Sequence, residues 1–301
     1  MSNASFWRGV IPAITTPFRA DGAIDHAFLA EHARTLIDAG CVGIVPLGSL
    51  GEAATLSFED KLAILRTLVQ ALDGRAPVIP GIAALSTDEA VRLAREAAAI
   101  GCAGLMVLPP YVYSSDWREM KAHVRAVIEA TPLPCMLYNN PIAYKTDFVP
   151  EQIAELAAEL PNLQAVKESS TDVRRFAAIR SLLGERLDLL VGMDDAVVEG
   201  VAMGATGWIA GLVNAYPKES VQLFELARDG GARAAADLYA WFLPLLRLDT
   251  VPKFVQLIKL VQERVGLGSE HVRAPRMVLV GAERDAALAV IERAIAAHPG
   301  R

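Results

Sequence analysis

One lysine of this sequence stands at the end of an apolar run, where it could act as a nucleophile. Residues 163–167 read LQAVK, a short apolar run that ends in Lys167, and this pattern is typical of a buried strand. An ammonium group in an apolar environment loses hydration, so its pKa falls and the neutral amine becomes available. A neutral amine adds to a ketone to form an imine, which withdraws electrons from the next carbon. A structural ion pair with Glu168 or with a nearby aspartate is the alternative that position alone leaves open.

Tyr138 and a glycine-flanked turn are the next candidates. Tyr138 ends the apolar run PCMLY at 134–138, and a phenol at a strand end can pass protons to an imine or to a leaving alkoxide. A rim aromatic that only packs is the alternative interpretation. The turn GSLGE at 48–52 offers the hydroxyl of Ser49 and backbone N–H groups, which could hold a carboxylate.

Metal chemistry has little support in the sequence. The five histidines show neither H-E-x-x-H nor ligand spacing with cysteine. Asp194 and Asp195 could bind a divalent cation, but solvated loop acids are the simpler interpretation. We therefore predict no metal site and no metal cofactor.

Composition and charge exclude several partners. The net charge is −6 with acidic and basic residues interspersed, which argues against a nucleic-acid or polybasic membrane surface. No apolar run reaches the roughly 18 residues of a membrane span. The three cysteines, Cys41, Cys102 and Cys135, are odd in number and far apart, which favours a reduced, cytoplasmic protein over a disulfide framework.

A short pattern that occurs three times indicates how the chain is built. An Ala-rich helical stretch is followed by a glycine, two residues, a second glycine and an apolar run, as in DAGCVGIVPL, AIGCAGLMVL and AMGATGWIAG. The first glycine fits a helix end that needs positive φ, and the second allows close approach where a strand begins. The three joints are Gly40/Gly43, Gly101/Gly104 and Gly204/Gly207.

With these joints as anchors, eight apolar segments are predicted as strands. They cover residues 10–15, 42–47, 78–82, 104–108, 134–138, 163–167, 187–192 and 207–211. Helical patterns lie between them, such as 58–71, 87–100 and 116–130, with caps at Ser57, at Ser86 or Thr87, and at Ser115 or Asp116. Strands that are apolar throughout are typical of a sheet covered on both faces.

The predicted fold is a (β/α)8 TIM barrel with a C-terminal helical extension. An open doubly wound sheet is the alternative, but the first strand lacks the G-x-G-x-x-G turn that such sheets usually carry. Helices only are predicted after the eighth strand, at 218–228, 232–246, 251–265 and 282–297. We assign residues 5–228 to the barrel and 229–299 to an extension packed on it, as one domain overall.

In such barrels the active site lies at the carboxyl ends of the strands. This rule brings together candidates from six of the predicted strands. They are Gly48, Ser49, Leu50, Tyr111, Tyr138, Asn140, Lys167, Gly192 and Ile209.

Ordered in this way, the chain resembles the dihydrodipicolinate synthase / N-acetylneuraminate lyase family of class I aldolase-like barrels, over nearly its whole length. The motifs that carry the resemblance are GSLGE at 48–52, YNNP at 138–141 and KE at 167–168. The resemblance implies that Lys167 forms a Schiff base with pyruvate or another 2-oxo acid, that Tyr138 relays protons, and that the turn at Ser49 binds the substrate carboxylate. It also implies a homotetramer or dimer of dimers with no added cofactor.

The sequence departs from the synthase pattern at three positions. Leu50 replaces the second hydroxyl residue of the turn, Val112 stands where the synthases have a second tyrosine, and Ala143 stands where they have an arginine. A single arginine fork is hard to replace in carboxylate recognition, so the lysine-pathway synthase reaction is disfavoured. Tyr111, Tyr113, Asn140 and Tyr144 are candidates to line a different pocket.

The predicted function is a Schiff-base lyase that cleaves or forms a C–C bond of a small 2-oxo acid, with pyruvate as the imine-linked component. An imine-dependent dehydratase or deaminase of a hydroxyproline- or sugar-acid-derived substrate is the nearest alternative. A metal-dependent aldolase, with Asp194 or Glu52 holding the ion, and a non-catalytic binding barrel remain further alternatives.

Overall fold

The computed structural model describes residues 6–110 and 116–300. Seven short strands in this part of the chain form one sheet in which every pairing is parallel. They are β1 (Gly9–Pro12), β2 (Gly81–Ile82), β3 (Leu105–Val107), β4 (Cys135–Asn139), β5 (Leu163–Glu168), β6 (Asp188–Val191) and β7 (Gly207–Ala210). Their order is β1-β7-β6-β5-β4-β3-β2, so the first and second strands lie at the two edges.

Residues 42–47 close the gap between those edges. Val42 N donates to Val10 O (3.0 Å), Ile44 N donates to Pro77 O (2.9 Å) and Ile79 N donates to Ile44 O (2.8 Å). The predicted second strand therefore lies in its place, but it makes only single bridges, because Pro46 and the facing prolines have no N–H group to extend a ladder. The predicted closed (β/α)8 barrel is confirmed.

Eleven helices are found in the described residues, most of them around the barrel. They are α1 (His26–Asp38), α2 (Phe58–Leu72), α3 (Thr87–Ile100), α4 (Trp117–Glu129), α5 (Pro141–Tyr144), α6 (Pro150–Glu159), α7 (Arg174–Leu183), α8 (Val197–Ala202), α9 (Pro217–Leu246), α10 (Phe254–Val265) and α11 (Gly281–Ala296). Ser57, Ser86 and Asp116 cap α2, α3 and α4 through their side chains. Of the two candidate caps that the sequence offered for α3 and for α4, Ser86 and Asp116 are therefore the ones used.

The three glycine joints have the predicted geometry. Gly40, Gly101 and Gly204 all have positive φ, between 97° and 105°, at or just after the end of a helix. The second glycine permits close packing, since a Cβ atom at Gly207 would lie 2.4 Å from the carbonyl oxygen of Trp7. The recurring sequence pattern thus turns the chain from helix to strand at three places around the barrel.

The C-terminal extension is tied to the barrel by buried polar contacts. α9 is interrupted at Gly231, which has φ 73°, as expected from two predicted helices at 218–228 and 232–246. In α10, Gln262 Oε1 accepts a hydrogen bond from Thr15 Oγ1 (2.9 Å), and Lys259 Nζ lies 2.6 Å from Glu52 Oε1 with both side chains buried. The second contact joins the extension to the GSLGE turn at the barrel mouth.

Candidate active site

A cavity of about 650 Å³ opens at the carboxyl ends of the strands. Lys167, Tyr138 and Ser49 line it together with residues of the C-terminal extension. The volume is within the range of pockets that enclose a small organic molecule. The geometry therefore places the predicted nucleophile, proton shuttle and carboxylate-binding turn around one space.

Lys167 is positioned by β5 and lies against Tyr138. The two residues are register partners in the β4–β5 pairing, and the amine nitrogen of Lys167 is 4.0 Å from the centroid of the Tyr138 ring. Burial lowers the pKa of Lys167 to about 8, although the carboxylates of Asp249 and Asp194 oppose this shift. With this pKa, roughly a tenth of the Lys167 amine is neutral at pH 7, and the neutral amine is the form that adds to a carbonyl.

The acids that could have formed a structural ion pair with Lys167 have other partners. Glu168 accepts hydrogen bonds from Asn139 Nδ2 (3.0 Å) and from the backbone N–H of Ser170 (2.7 Å). Asp194 accepts hydrogen bonds from Trp208 Nε1 (2.9 Å) and from the N–H groups of the turn after β7. Among the described residues, no hydrogen bond or ion pair links Lys167 to a carboxylate, so its amine is available to a ligand.

Gly192 makes room for the lysine. A Cβ atom at this position would lie 2.8 Å from Cε of Lys167 and 2.0 Å from Oγ of Ser169. At such short distances one of the groups would have to move, because a side chain at position 192 would occupy the space of the Lys167 side chain. Gly192, which was predicted at the barrel mouth, therefore leaves free the space that the Lys167 side chain occupies.

Tyr138 is buried, and its hydroxyl is held by neighbouring polar groups. Burial raises the pKa of the Tyr138 phenol, while hydrogen bonding to Asn140 and Tyr144 opposes the rise. Nδ2 of Asn140 donates to the Tyr138 oxygen at 3.0 Å. The Tyr138 hydroxyl is therefore a neutral, oriented group that can both give and accept a proton.

Tyr144 supplies a hydroxyl group beside the GSLGE turn, in which Leu50 replaces the second hydroxyl residue of the synthase pattern. Its hydroxyl is hydrogen-bonded to Oγ of Ser49, and its ring packs edge-on against Tyr138 with centroids 5.7 Å apart. Ser49, Tyr144 and Tyr138 thus form a chain of hydroxyl groups, although Leu50 cannot contribute one. The sequence named Tyr144 as a pocket residue, but nothing in its spacing indicated the contact with Ser49.

The other predicted site residues fall into two groups. Gly48, Leu50, Asn140 and Ile209 line the cavity, as does Ala143. Tyr111, together with Val112 and Tyr113, lies outside the described residues. The cavity therefore brings together all the predicted site residues that the structure describes.

Several residues that line the cavity were missed, because they come from the predicted helical extension. They are Asp249, Thr250, Val251, Pro252, Phe254 and Arg276. The segment DTVP at 249–252 has the composition of a turn between two helices. Sequence alone could have indicated that turn, but it could not have indicated that the turn lies over the barrel mouth.

Glu52, a candidate ligand in the metal-dependent alternative, takes part in a network of charges. It accepts from Lys259 Nζ at 2.6 Å and from the backbone N–H of Arg273 at 3.1 Å, and the guanidinium of Arg276 is 3.7 Å away. A cation at Glu52 would have to displace these positive groups. No group of three His, Cys, Asp or Glu side chains in the described part of the chain could hold a metal ion.

Within residues 6–110 and 116–300, no helix is both long enough and apolar enough to pass through a bilayer.

A parallel barrel with a buried lysine and an oriented tyrosine at its carboxyl mouth is the arrangement expected of a Schiff-base-forming barrel enzyme. The family comparison agrees, since residues 6–294 match the model of the Dihydrodipicolinate synthetase family. The chain belongs to this family and is an enzyme, a Schiff-base-forming lyase.

Individual relatives cover almost the entire chain. It is 33% identical over 292 residues to a 4-hydroxy-tetrahydrodipicolinate synthase of Hyphomonas neptunium, covering 96% of this chain and 98% of the relative. A putative dihydrodipicolinate synthetase from Pseudomonas aeruginosa superposes with a TM-score of 0.90 at 32% identity, covering 95% and 99% of the two chains. YagE, a prophage protein of the family from E. coli K12 solved in complex with pyruvate, has a TM-score of 0.90 at 28% identity and covers 97% and 99%.

Proposed function

We propose that this enzyme is a class I lyase that makes or breaks a C–C bond of a small hydroxylated 2-oxo acid, with pyruvate as the component linked to Lys167. Lys167 forms the imine, Tyr138 moves protons to and from it, and Ser49 with the backbone at Leu50 holds the substrate carboxylate. The observation that carries the proposal is the buried Lys167 amine, 4.0 Å from the Tyr138 ring centroid and facing the cavity without a carboxylate partner among the described residues.

The arrangement supports each chemical step. A depressed pKa gives Lys167 a nucleophilic amine at neutral pH. Tyr138, whose ring lies against that amine, carries the hydroxyl that would make the proton transfers of imine formation. The turn at 48–52 is fixed from behind by the buried Glu52–Lys259 pair. A carboxylate held there would keep the C2 carbonyl of the substrate facing Lys167.

The lining of the cavity argues for a substrate other than that of the lysine-pathway synthase. Ala143 lines the cavity at the position where the synthases carry an arginine, and methyl groups bind carboxylates poorly. Leu50 is buried at the turn and offers no hydroxyl group. We expect the aldehyde component to differ from that of the relatives named as synthases.

An imine-dependent dehydratase or deaminase of a hydroxyproline- or sugar-acid-derived substrate is the second candidate. It would use the same lysine and the same enamine, but lose water or ammonia instead of an aldehyde. The apolar Leu50 and the altered hydroxyl chain through Tyr144 favour this alternative over the synthase reaction, because they change where protons can be delivered.

Product analysis separates the two candidates. Purified enzyme would be incubated with 4-hydroxy-2-oxo acids, 2-oxo-3-deoxy sugar acids and hydroxyproline-derived imino acids, and pyruvate, aldehyde and ammonia would be quantified. Release of pyruvate and an aldehyde in equal amounts supports the lyase, whereas ammonia or a dehydrated 2-oxo acid supports the second candidate. The Lys167→Ala variant should lose either activity, and Lys218→Ala, an exposed lysine on α9, should keep it.

We also propose a cytoplasmic homo-oligomer, a tetramer or dimer of dimers. The three cysteines are free and buried, and burial raises the pKa of each to about 12, which suits a reduced compartment. Large apolar side chains such as Met277 and Val280 are exposed on the isolated chain, as on surfaces that associate. Light scattering coupled to gel filtration tests the assembly, and a monomer at micromolar concentration would contradict it.

A further inference from the structure

Asp249 is an acid in the cavity to which neither the sequence motifs nor the proposed mechanism gives a role. It ends the short helical turn Arg247–Asp249, between α9 and α10, and it lines the cavity together with Lys167. The C-terminal extension therefore places a carboxyl group in a site otherwise built from strand ends.

The carboxyl group lies against the end of the last strand. A Cβ atom at Gly211, the residue after β7, would be 2.1 Å from Oδ1 of Asp249 and 2.5 Å from its Cγ. Only a glycine at this position lets the extension reach so far into the barrel mouth. The position of Asp249 is thus set by close packing against a rigid element.

Asp249 differs from the other buried acids of the mouth in having an unpartnered oxygen. Its Oδ1 is excluded from solvent and has no hydrogen-bond partner, whereas Asp194 and Glu168 are held by several N–H donors. Buried polar atoms are nearly always satisfied in native proteins. No hydrogen bond to Asp249 is found in the described residues, and the residue lines the cavity, so a ligand hydroxyl can supply the donor that its carboxyl group lacks.

The charge of Asp249 acts on Lys167 without contact. The Asp249 carboxylate raises the pKa of Lys167 through space, and Lys167 lowers that of Asp249, yet no ion pair joins them in the described residues. Burial, reinforced by Asp194 and Asp195, raises the pKa of Asp249 well above its usual range, and a positive charge on Lys167 opposes this rise. The fixed positive charge of a protonated imine on Lys167 therefore favours the ionised form of Asp249, which can accept a proton.

We propose that Asp249 is a further catalytic residue, which contacts the hydroxyl group on C4 of a substrate bound to Lys167 through C2 and accepts the proton of that hydroxyl. The proposal rests on the proposed function and specifies its substrate. The substrate therefore carries an uncharged hydroxyl group on C4, because a carboxylate at that position would be repelled by Asp249.

The step balances without any other reactant. With C2 held as a protonated imine, the Asp249 carboxylate takes the C4 hydroxyl proton, the C3–C4 bond breaks, and its electron pair moves through C3 to the imine nitrogen to give an enamine. C4 leaves as the carbonyl carbon of an aldehyde. The proton is then returned to C3, and water hydrolyses the imine to release pyruvate and the free Lys167 amine.

The test compares two reactions in Asp249→Asn, which keeps the shape of the side chain but cannot take the proton. The first is reductive trapping of pyruvate on Lys167, which needs no C4 hydroxyl, and the second is cleavage of a 4-hydroxy-2-oxo acid. We expect trapping within a few-fold of wild type and a fall in cleavage of about 10²- to 10⁴-fold, the usual contribution of a positioned acid or base. Asp237→Asn, the same change at an exposed acid of α9 outside the cavity lining, is the matched control and should retain both.

Three results would overturn the proposal. Cleavage by Asp249→Asn within a few-fold of wild type would show that Asp249 takes no proton. An equal loss of trapping and cleavage would make Asp249 a positioning residue for Lys167. Absence of trapping in the wild-type enzyme would refute the proposed function itself, and the Asp249 mechanism with it. Asp249→Ala, which removes the orphaned oxygen, should melt no lower than wild type, and this second variant provides the same comparison if Asp249→Asn folds poorly.

Discussion

The amine nitrogen of Lys167 lies 4.0 Å from the centroid of the Tyr138 ring, and the two residues are register partners on adjacent parallel strands. Side chains of register partners project from the same face of a sheet. The nucleophile and the proton shuttle are therefore held by rigid elements, at a distance that lets both reach one substrate carbonyl.

Removing the Tyr138 hydroxyl should slow catalysis without abolishing the imine. In Tyr138→Phe the ring against Lys167 remains, but the proton shuttle is lost, so we expect kcat to fall by about 10²- to 10⁴-fold. Steady-state kinetics with the best substrate checks this. Reductive trapping of pyruvate on Lys167 should still occur in this variant, but more slowly than in the wild-type enzyme. A variant with wild-type kcat would assign Tyr138 a packing role only.

Tyr144→Phe tests the chain of hydroxyl groups from Ser49 to Tyr138. Loss of the Tyr144 hydroxyl leaves Ser49 without its partner and weakens the polar surroundings of Tyr138, so kcat should fall by at least about tenfold while the melting temperature changes little. The matched control is Tyr239→Phe, whose hydroxyl bonds to Glu199 away from the cavity. If both variants lose activity equally, the relay interpretation is wrong.

Gly192→Ala should displace Lys167. The added methyl group would lie 2.8 Å from Lys167 Cε and 2.0 Å from Ser169 Oγ, and a misplacement of about 1 Å at a reacting centre can cost about 10²-fold in rate. The measurement is the rate at which the methyl protons of pyruvate exchange with D₂O, which reports imine and enamine formation.

A double variant separates the two contacts of that methyl group. Gly192→Ala combined with Ser169→Ala removes the contact with the serine and retains the one with the lysine, so exchange should stay slow. Full recovery in the double variant would instead attribute the effect to Ser169, and Ser169→Ala alone provides the reference.

The pH dependence of imine formation follows from the depressed pKa of Lys167. Because only the neutral amine adds to pyruvate, the rate should rise about tenfold per pH unit below the pKa of about 8 and level off above it. The methyl-proton exchange assay can be run from pH 6 to pH 10 in the presence of excess pyruvate. A rate that keeps rising to pH 10 would mean that Lys167 retains an ordinary lysine pKa.

Much of the fold and part of the site could be predicted from the sequence, because they depend on local pattern. The glycine joints mark where helices end and strands begin, and the rule that strand ends carry the site places Lys167 and Tyr138 at one mouth. Residues 42–47 were predicted as a full strand but form only isolated bridges with their neighbours. Their apolar pattern indicates a buried strand, but it does not show that prolines in and opposite this segment remove N–H donors.

The parts that the sequence could not indicate depend on contacts between distant segments. Asp249 lies between two predicted helices, and their periodicity does not indicate a site residue. Its place in the cavity depends on how the extension packs on the barrel. The bond between Ser49 and Tyr144 depends on the directions of two side chains at loop positions, which spacing does not specify. Gly192 was predicted at the mouth, but its close approach to Lys167 depends on the direction of the lysine side chain, which the sequence does not specify.

Reductive trapping asks whether Lys167 forms an imine with pyruvate. The enzyme would be treated with sodium borohydride with and without pyruvate, and its peptides mapped by mass spectrometry. We expect a pyruvate-derived adduct on Lys167 that depends on pyruvate, with Lys259, the buried lysine paired with Glu52, unmodified as an internal control. An unmodified Lys167 in folded enzyme, or an adduct spread over several lysines, would show that Lys167 is not the imine-forming residue.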